Sequence, residues 1–276
     1  MDNRAVTPRK LDLAAIGSLI GVGAFALLIG LPVLALVARA IGGGSLLARL
    51  TDTRVIDALL LSLATSTMSL ALAIALGTPV AYGLARGRIP GARFIEIAID
   101  LPIVLPPAVA GIALLMAFGR RGVLGPFLEA LGIEIAFTTT AVILAQVFVA
   151  APLYVRAARA GFAAVDPVVE GVARTLGASP WRSFRTVTIP LALPSLVAGA
   201  IMCWARALGE FGATIMVAGS LPGQTRTMPL AIYQALESDL NVSLALSAIL
   251  VGVAFAILLA VRAINQGVRA ATEPVA

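Results

Sequence analysis

The sequence contains no histidine, one cysteine (Cys203) and one lysine (Lys10) among its 276 residues. A Cys/His zinc site, a Ser-His-Asp triad and a disulfide framework are excluded, because each needs residues that the chain lacks. A phosphate-binding loop of the form GxxxxGK[ST] is also excluded, since Lys10 follows Arg9 and not a glycine-rich turn. We therefore expect no catalytic residue, no metal site and no bound cofactor in this chain.

Charged residues are also scarce, at 12% of the chain, whereas hydrophobic residues make up 60%. Soluble domains carry about 25% charged residues, and disordered chains combine low hydrophobicity with high net charge. The composition therefore indicates a polytopic, all-α membrane protein. We find no repeat of fixed period and no low-complexity tail, so residues 1–276 are treated as one transmembrane domain.

Six apolar runs are long enough to cross about 30 Å of hydrocarbon, which takes roughly 20 helical residues. They cover residues 13–38, 58–84, 97–118, 139–155, 191–213 and 242–261. The first run is too long for the apolar core of a signal peptide, so we predict that it is a retained span. Pro102, Pro106 and Pro107 should kink or break the third span in its inner half.

The distribution of basic residues predicts the orientation of these six spans. With a cytoplasmic N-terminus, thirteen basic residues lie in inner segments and six in outer ones. The inner group is Arg4, Arg9, Lys10, Arg86, Arg88, Arg93, Arg156, Arg159, Arg174, Arg182, Arg185, Arg262 and Arg269. The positive-inside rule then places both termini in the cytoplasm. The inner face carries the whole net charge of +6, which insertion and contact with anionic lipid explain without a nucleic-acid partner.

The inner segment 156–190 contains the signals of two short helices. Asp166 is a suitable N-cap for a helix that begins at Pro167, and Gly177 supplies a left-handed stop. Ser179 repeats the start signal before Pro180, and we expect Pro190 to end this second helix.

The first of these helices is amphipathic, which leaves two interpretations of its role. Its apolar face is formed by Val169, Val172, Ala173 and Leu176, and Glu170 and Arg174 form an i, i+4 pair on the opposite face. The helix could lie on lipid headgroups, helped by nearby arginines. The small, Ala/Gly-rich apolar face is a poor membrane anchor, however, and favours a protein partner.

The fifth span contains two charged residues, Arg206 and Glu210. A charge near the centre of a membrane helix costs about 2.5 to 3.5 kcal/mol, so each must be paired or must face a cavity. At i and i+4 the two side chains can pair with each other. The pair either locks helix packing beside Gly209 and Gly212, or lines a pathway in which Arg206 meets a passing anion. The residues alone leave both interpretations open.

The helix pair resembles the EAA loop of permease subunits in binding-protein-dependent ABC importers, with the glycine at Gly177 and a closing Ile-Pro at Ile189. The usual Glu-Ala-Ala begins six residues before the glycine; here those positions read Gly-Val-Ala, and the acid lies one place earlier. The resemblance implies a type I importer fold and a loop that docks on a separate ATPase subunit, which binds ATP and Mg²⁺. The docking loop would include Glu170, Val172, Ala173, Leu176, Gly177, Ala178, Trp181 and Arg182.

A second resemblance covers residues 206–214 (RALGEFGAT), 218–227 (AGSLPGQTRT), 229–233 (PLAIY) and 101–107 (LPIVLPP). These stretches are similar to the molybdate and sulfate branch of the same permeases, and TxTxPLAIY is closer to the molybdate members. Ser220 stands where this branch often has Asn. The resemblance extends over about residues 58–261 and implies that the third and fifth spans of two chain copies line a pathway. Its residues would include Pro106, Pro107, Arg206, Gly209, Glu210, Gly212 and Thr214.

The implied function is that of the permease subunit of an ATP-driven importer for a tetrahedral oxyanion, molybdate first. Sulfate, thiosulfate and tungstate are alternatives, because selectivity in such systems rests mainly on the external binding protein. The implied partners are a second copy of the chain, two ATPase subunits, an extracytoplasmic oxyanion-binding protein and the lipid of the inner membrane. An ATP-independent secondary anion transporter is the alternative class, but it would be expected to show an acid relay or inverted repeats.

Overall fold

The computed structural model describes residues 13–44 and 46–272, and all regular structure in these ranges is helical. The helices are α1 (Leu13–Gly42), α2 (Leu46–Leu50), α3 (Thr53–Ala85), α4 (Ala92–Val104), α5 (Pro107–Phe118), α6 (Gly125–Ala130), α7 (Thr139–Ala164), α8 (Pro167–Thr175), α9 (Pro180–Ser183), α10 (Ile189–Leu208), α11 (Gly212–Ala218), α12 (Met228–Ser238) and α13 (Leu240–Thr272). The predicted all-α class is confirmed. Arg4, Arg9 and Lys10, which contribute to the predicted orientation, lie outside the described residues.

Each of the six predicted spans corresponds to helix in the structure. Within the described ranges, five helical stretches are long and apolar enough to cross a membrane: 17–42 in α1, α3, α7, the α9–α10 stretch and 240–261 in α13. The remaining predicted span, the third (97–118), is the pair α4 and α5, and the chain bends by 119° at the break between them. Counting this pair as one broken span gives six.

The break between α4 and α5 falls at the predicted prolines. The first helix ends at Val104, and the second begins at Pro107. Proline has no N–H to donate, and it disfavours helical geometry in the residue before it. Two consecutive prolines therefore end one helix and start the next.

The core of the molecule is a three-helix packing in which α7 lies between α3 and α10. Glycines permit the close approach: an added Cβ at Gly199 would lie 2.6 Å from Ala157 Cβ, and one at Gly161 would lie 2.5 Å from Ser195 Cβ. Small residues at helix contacts are the usual means of tight packing in membranes, where apolar burial gives little driving force. Ser69 Oγ adds a buried hydrogen bond to Gln146 Oε1 at 3.0 Å.

Two helices continue beyond the limits of the predicted spans. The fourth span was expected to end at residue 155, but α7 continues to Ala164. This last part of α7 contacts α4: Arg159 Nη1 pairs with Glu96 Oε2 at 2.9 Å, and Arg156 approaches Asp100 at 3.8 Å. The sixth span was expected over 242–261, whereas α13 extends beyond both limits.

The first helix lies at the edge of the molecule. It packs against α13, and most of its described side chains are exposed, including Leu28 and Leu34. An exposed apolar surface of this size fits contact with lipid or with another membrane helix rather than with water.

Candidate functional sites: a helical elbow and a broken span

The first site is residues 166–188, which we call the elbow. Asp166 caps α8 through a 2.8 Å hydrogen bond that its side chain accepts from Val168 N. At the other end Gly177 has a φ of 87° and donates to Arg174 O, while Ala178 N donates to Ala173 O, both at 3.0 Å. These two bonds form a Schellman motif, which favours glycine because the φ is positive. The predicted start and stop of α8 are confirmed.

The predicted end of the second short helix at Pro190 is wrong. Ser179 caps α9 by accepting from Arg182 N at 3.2 Å, as expected, but the chain then continues through a π-helical turn, Phe184–Thr188, directly into α10. In this wider turn Ile189 N–H donates to Phe184 O, five residues earlier. The extra residue accommodates Pro190, which has no N–H and would interrupt a regular α-helical ladder.

The predicted pair between Glu170 and Arg174 is also wrong, because Glu170 points into the protein. Its carboxylate accepts hydrogen bonds from Arg86, from Tyr82 OH at 3.2 Å and from Thr188 Oγ1 at 2.7 Å. The side chains of Arg86 and Glu170 are only 8% and 13% exposed. A buried carboxylate needs such donors, since an unpaired charge is costly out of water. The i, i+4 spacing was therefore a poor guide to its partner.

The electrostatics of this site follow from these bonds. Burial alone would raise the pKa of Glu170, but hydrogen bonds from Thr188, Arg86 and Tyr82, together with the positive charge of Arg86, lower it below the ordinary value of 4.5. Glu170 is consequently ionised at neutral pH and forms a true ion pair with Arg86.

The apolar face of α8 points away from the protein, in contrast to Glu170. On the predicted face, Val169 is 44% exposed, Val172 53% and Leu176 84%. Val168 beside them is 67% exposed, and Trp181 in α9 is 66% exposed. Of the other residues in the predicted docking loop, Gly177 and Arg182 are exposed, and Ala173 and Ala178 are half-buried. The elbow thus presents an apolar surface that no described part of this chain covers.

The second site is residues 206–214, which we call the junction. The fifth span was predicted as one helix to residue 213, but α10 ends at Leu208 and α11 starts at Gly212. The predicted ion pair is nevertheless present, with Arg206 Nη1 at 2.6 Å from Glu210 Oε2. Glu210 Oε1 also accepts from Ala213 N at 2.7 Å, so this carboxylate satisfies a backbone N–H in the first turn of α11.

The junction packs against the break in the third span. An added Cβ at Gly212 would lie 2.4 Å from Pro107 Cβ, and one at Gly111 would lie 2.6 Å from Met216 Cβ. The first residues of α5 and α11 are therefore in direct contact, which brings Pro107 and Gly212 together. Pro106, Pro107 and Gly209 are exposed, Arg206 and Gly212 are half-buried, and Glu210 and Thr214 are buried.

Several residues of both sites were missed by sequence reasoning. Arg86, Tyr82 and Thr188 surround Glu170, but 84 and 88 residues separate the first two from it, and no local pattern connects them. Thr188 follows Glu170 by 18 residues. At the junction, Thr214 was among the predicted pathway residues. The sequence did not indicate that its buried hydroxyl has no hydrogen-bond partner among the described residues.

The sequence is similar to those of known transport proteins. Residues 73–270 match the model of the family described as "Binding-protein-dependent transport system inner membrane component". The chain belongs to this family. It is 49% identical over 206 residues to the molybdenum transport system permease protein ModB of Mycobacterium tuberculosis, which covers 75% of this chain and 78% of that protein. It is 41% identical over 233 residues to the probable transport system permease protein NifC of Clostridium pasteurianum, covering 84% and 81% respectively.

The fold of this permease is also found in a solved structure. A chain of the bacterial alginate ABC transporter, solved in complex with an alginate pentasaccharide-bound periplasmic protein, has a TM-score of 0.73 at 14% identity, covering 94% of this chain and 96% of that one. The predicted type I importer fold is confirmed. The family assignment makes the chain a multi-pass inner-membrane transport component, and both the elbow and the junction lie within the matched residues.

Proposed function

We propose that the chain is the permease subunit of an ATP-driven importer whose cargo is molybdate. The observation that carries this proposal is the 49% identity to a protein named as a molybdenum transport permease, over three quarters of this chain. Tungstate and sulfate are the alternative cargoes, because they share the tetrahedral shape and the charge of molybdate.

In this proposal the exposed apolar surface of the elbow docks on an ATPase subunit. Val168, Val172, Leu176 and Trp181 form that surface, and an exposed apolar surface of this kind marks an interaction site. Two ATPase subunits would serve a dimer of this chain, with both termini of each copy in the cytoplasm. Closure of the ATPase pair on ATP would move the elbow, and the spans would switch between inward and outward opening.

The junction would line the pathway between the two copies. Its support is the half-exposed guanidinium of Arg206, which keeps donors available to a tetrahedral oxyanion while Glu210 balances its charge. Pro106 and Pro107 are also exposed, and Pro107 contacts the junction at Gly212. A binding protein on the outer side would deliver the anion.

The test is uptake of labelled molybdate into proteoliposomes that contain this chain, a candidate ATPase subunit and a candidate binding protein from the same organism. We expect accumulation that requires ATP inside the vesicles and that excess tungstate reduces more than excess sulfate. Accumulation without ATP would favour a secondary transporter and contradict the proposal. Preferential uptake of labelled sulfate would retain the importer and replace its cargo.

A further inference from the structure

The ion pair of Glu170 joins segments that are far apart in the sequence. Arg86 follows the end of α3, Tyr82 lies in the last turns of α3, and Thr188 is the last residue of the π-helical turn, directly before α10. Arg86 also donates to Val165 O, just past the end of α7, at 3.0 Å. One end of each core helix therefore meets α8 at a single buried carboxylate.

An aromatic contact reinforces this meeting point. The ring of Tyr82 lies 5.6 Å from that of Phe162 in α7 and 4.7 Å from that of Phe184 in the π-helical turn, both edge to face. Such pairs stabilise beyond their buried area and restrict ring orientation. The hydrogen bonds and the ring contacts thus join the same three helices. Rotation of the elbow relative to these helices would break both kinds of contact.

The side chain of Glu170 points away from the exposed apolar surface of the elbow. Its carboxylate oxygens accept from three side chains of this same chain, whereas Val168, Val172 and Leu176 of the same helix are exposed. All the donors that satisfy the charge are internal. A partner that covered the exposed face would not need to reach Glu170.

We propose that Glu170 is a positioning residue that fastens α8 to the ends of α3, α7 and α10, and that it does not contact the docked partner. Through this fastening, displacement of α8 moves the three core helices as one body. That the docked partner is an ATPase subunit rests on the proposed function. The attachment of α8 to the ends of α3, α7 and α10 does not.

The first test uses the full permease alone, in nanodiscs. In a Cys203→Ala background, a nitroxide is attached at Gly171→Cys, since Gly171 lies on α8 and an added Cβ there meets no atom within 4 Å. We expect an immobilised spectrum in the parent and a rotational correlation time shortened by about twofold in Glu170→Gln. Glu96→Gln, which removes a different ion-paired carboxylate, is the matched control and should leave the spectrum unchanged.

A second variant covers the case in which Glu170→Gln fails to fold because Arg86 is left buried and unpaired. Arg86→Gln with Glu170→Gln removes both charges and keeps similar shapes. It should fold and should mobilise the label. An immobilised spectrum in both the folded single and double variants would overturn the proposal.

The second test uses the complex with the ATPase. Glu170→Gln should lower molybdate uptake per ATP hydrolysed by about tenfold, while the amount of co-purifying ATPase stays the same. Loss of the ATPase with an unchanged spectrum would make Glu170 a docking residue and would overturn the proposal. If the unsubstituted chain binds no ATPase, the proposed function fails, and the nanodisc spectra still decide whether Glu170 fastens α8.

Discussion

The elbow and the junction each contain a glutamate that pairs with an arginine, but the two pairs differ in the distance along the chain between the partners. Among the described residues, the carboxylate of Glu210 bonds to groups within four residues of it, Arg206 and Ala213 N. Glu170 bonds to groups 84 and 88 residues earlier. A local pair can hold a bend in one helix, whereas a distant pair fastens separate helices to each other.

The two arginines also differ in the exposure of their side chains. The side chain of Arg86 is 8% exposed and is enclosed by the ends of the core helices, whereas that of Arg206 is 36% exposed. An enclosed guanidinium can only support structure. A half-exposed one keeps donors for a further ligand. The same pair of residue types therefore suits a mechanical role at the elbow and a pathway role at the junction.

The largest effect is expected when the local pair is broken. Glu210→Ala removes both the partner of Arg206 and the acceptor for Ala213 N, so the free energy of unfolding should fall by about 3 kcal/mol, and uptake should be lost. Thermal unfolding in detergent measures the first effect. Glu237→Ala, an exposed acid in α12, should unfold at the temperature of the unsubstituted protein. Equal stability of the two variants would contradict the structural role of Glu210.

The contact between α5 and α11 should be the next most sensitive. In Gly212→Ala the new Cβ would lie 2.4 Å from Pro107 Cβ, a ring atom that cannot rotate away. Overpacking of this kind costs about 2 kcal/mol. Gly209→Ala is the matched control, because its Cβ would meet only Ala205 O at 3.6 Å. Unfolding midpoints that do not differ would show that the two breaks are not packed together.

A smaller effect is expected at the stop of α8. Gly177→Val forces a β-branched residue to a φ of 87°, which costs about 1 to 2 kcal/mol, although the space around it is open. Insertion and folding should survive, while uptake per ATP hydrolysed should fall because the elbow is displaced. Gly171→Ala, on the same helix with no atom near its Cβ, should transport normally. Normal coupling in Gly177→Val would argue strongly against transmission through the elbow.

The smallest effect is the expected absence of a pH response at the elbow. Because the pKa of Glu170 is lowered by folding, its stabilising contribution is complete above the ordinary value of 4.5 and is lost only as the pH falls through the lowered value. The spectrum of the label at position 171 should therefore be constant from about pH 6 to pH 8. Mobilisation of the label within that range would mean that the carboxylate is not held as an ion pair.

Local sequence was sufficient to predict the boundaries of α8. Asp166, Pro167 and Gly177 act within one helical turn of themselves, so their effects do not depend on the rest of the fold. The break between α4 and α5 was predictable for the same reason, because two prolines act on their own backbone. The ion pair of Arg206 and Glu210 was also predictable, since the two residues are neighbours on one turn.

Other features could not be read from local patterns. The fifth span looked continuous because its composition is apolar through residue 213, yet a new helix begins inside it, and Glu210 accepts from an N–H in its first turn. Pro190 looked like a helix end, yet a π-helical turn carries the chain past it. In both cases the backbone makes a hydrogen bond that composition does not reveal.

Composition, apolar run length and the local capping residues determined that this protein is an all-helical membrane protein with a two-helix elbow between two of its spans. Only the tertiary structure decided which way the elbow faces: α8 turns its acid inward to Arg86 and its valines outward. The physical reason is that an ionised carboxylate beside an apolar core must be paired, and its partner was supplied by a helix end that lies distant in sequence and adjacent in space.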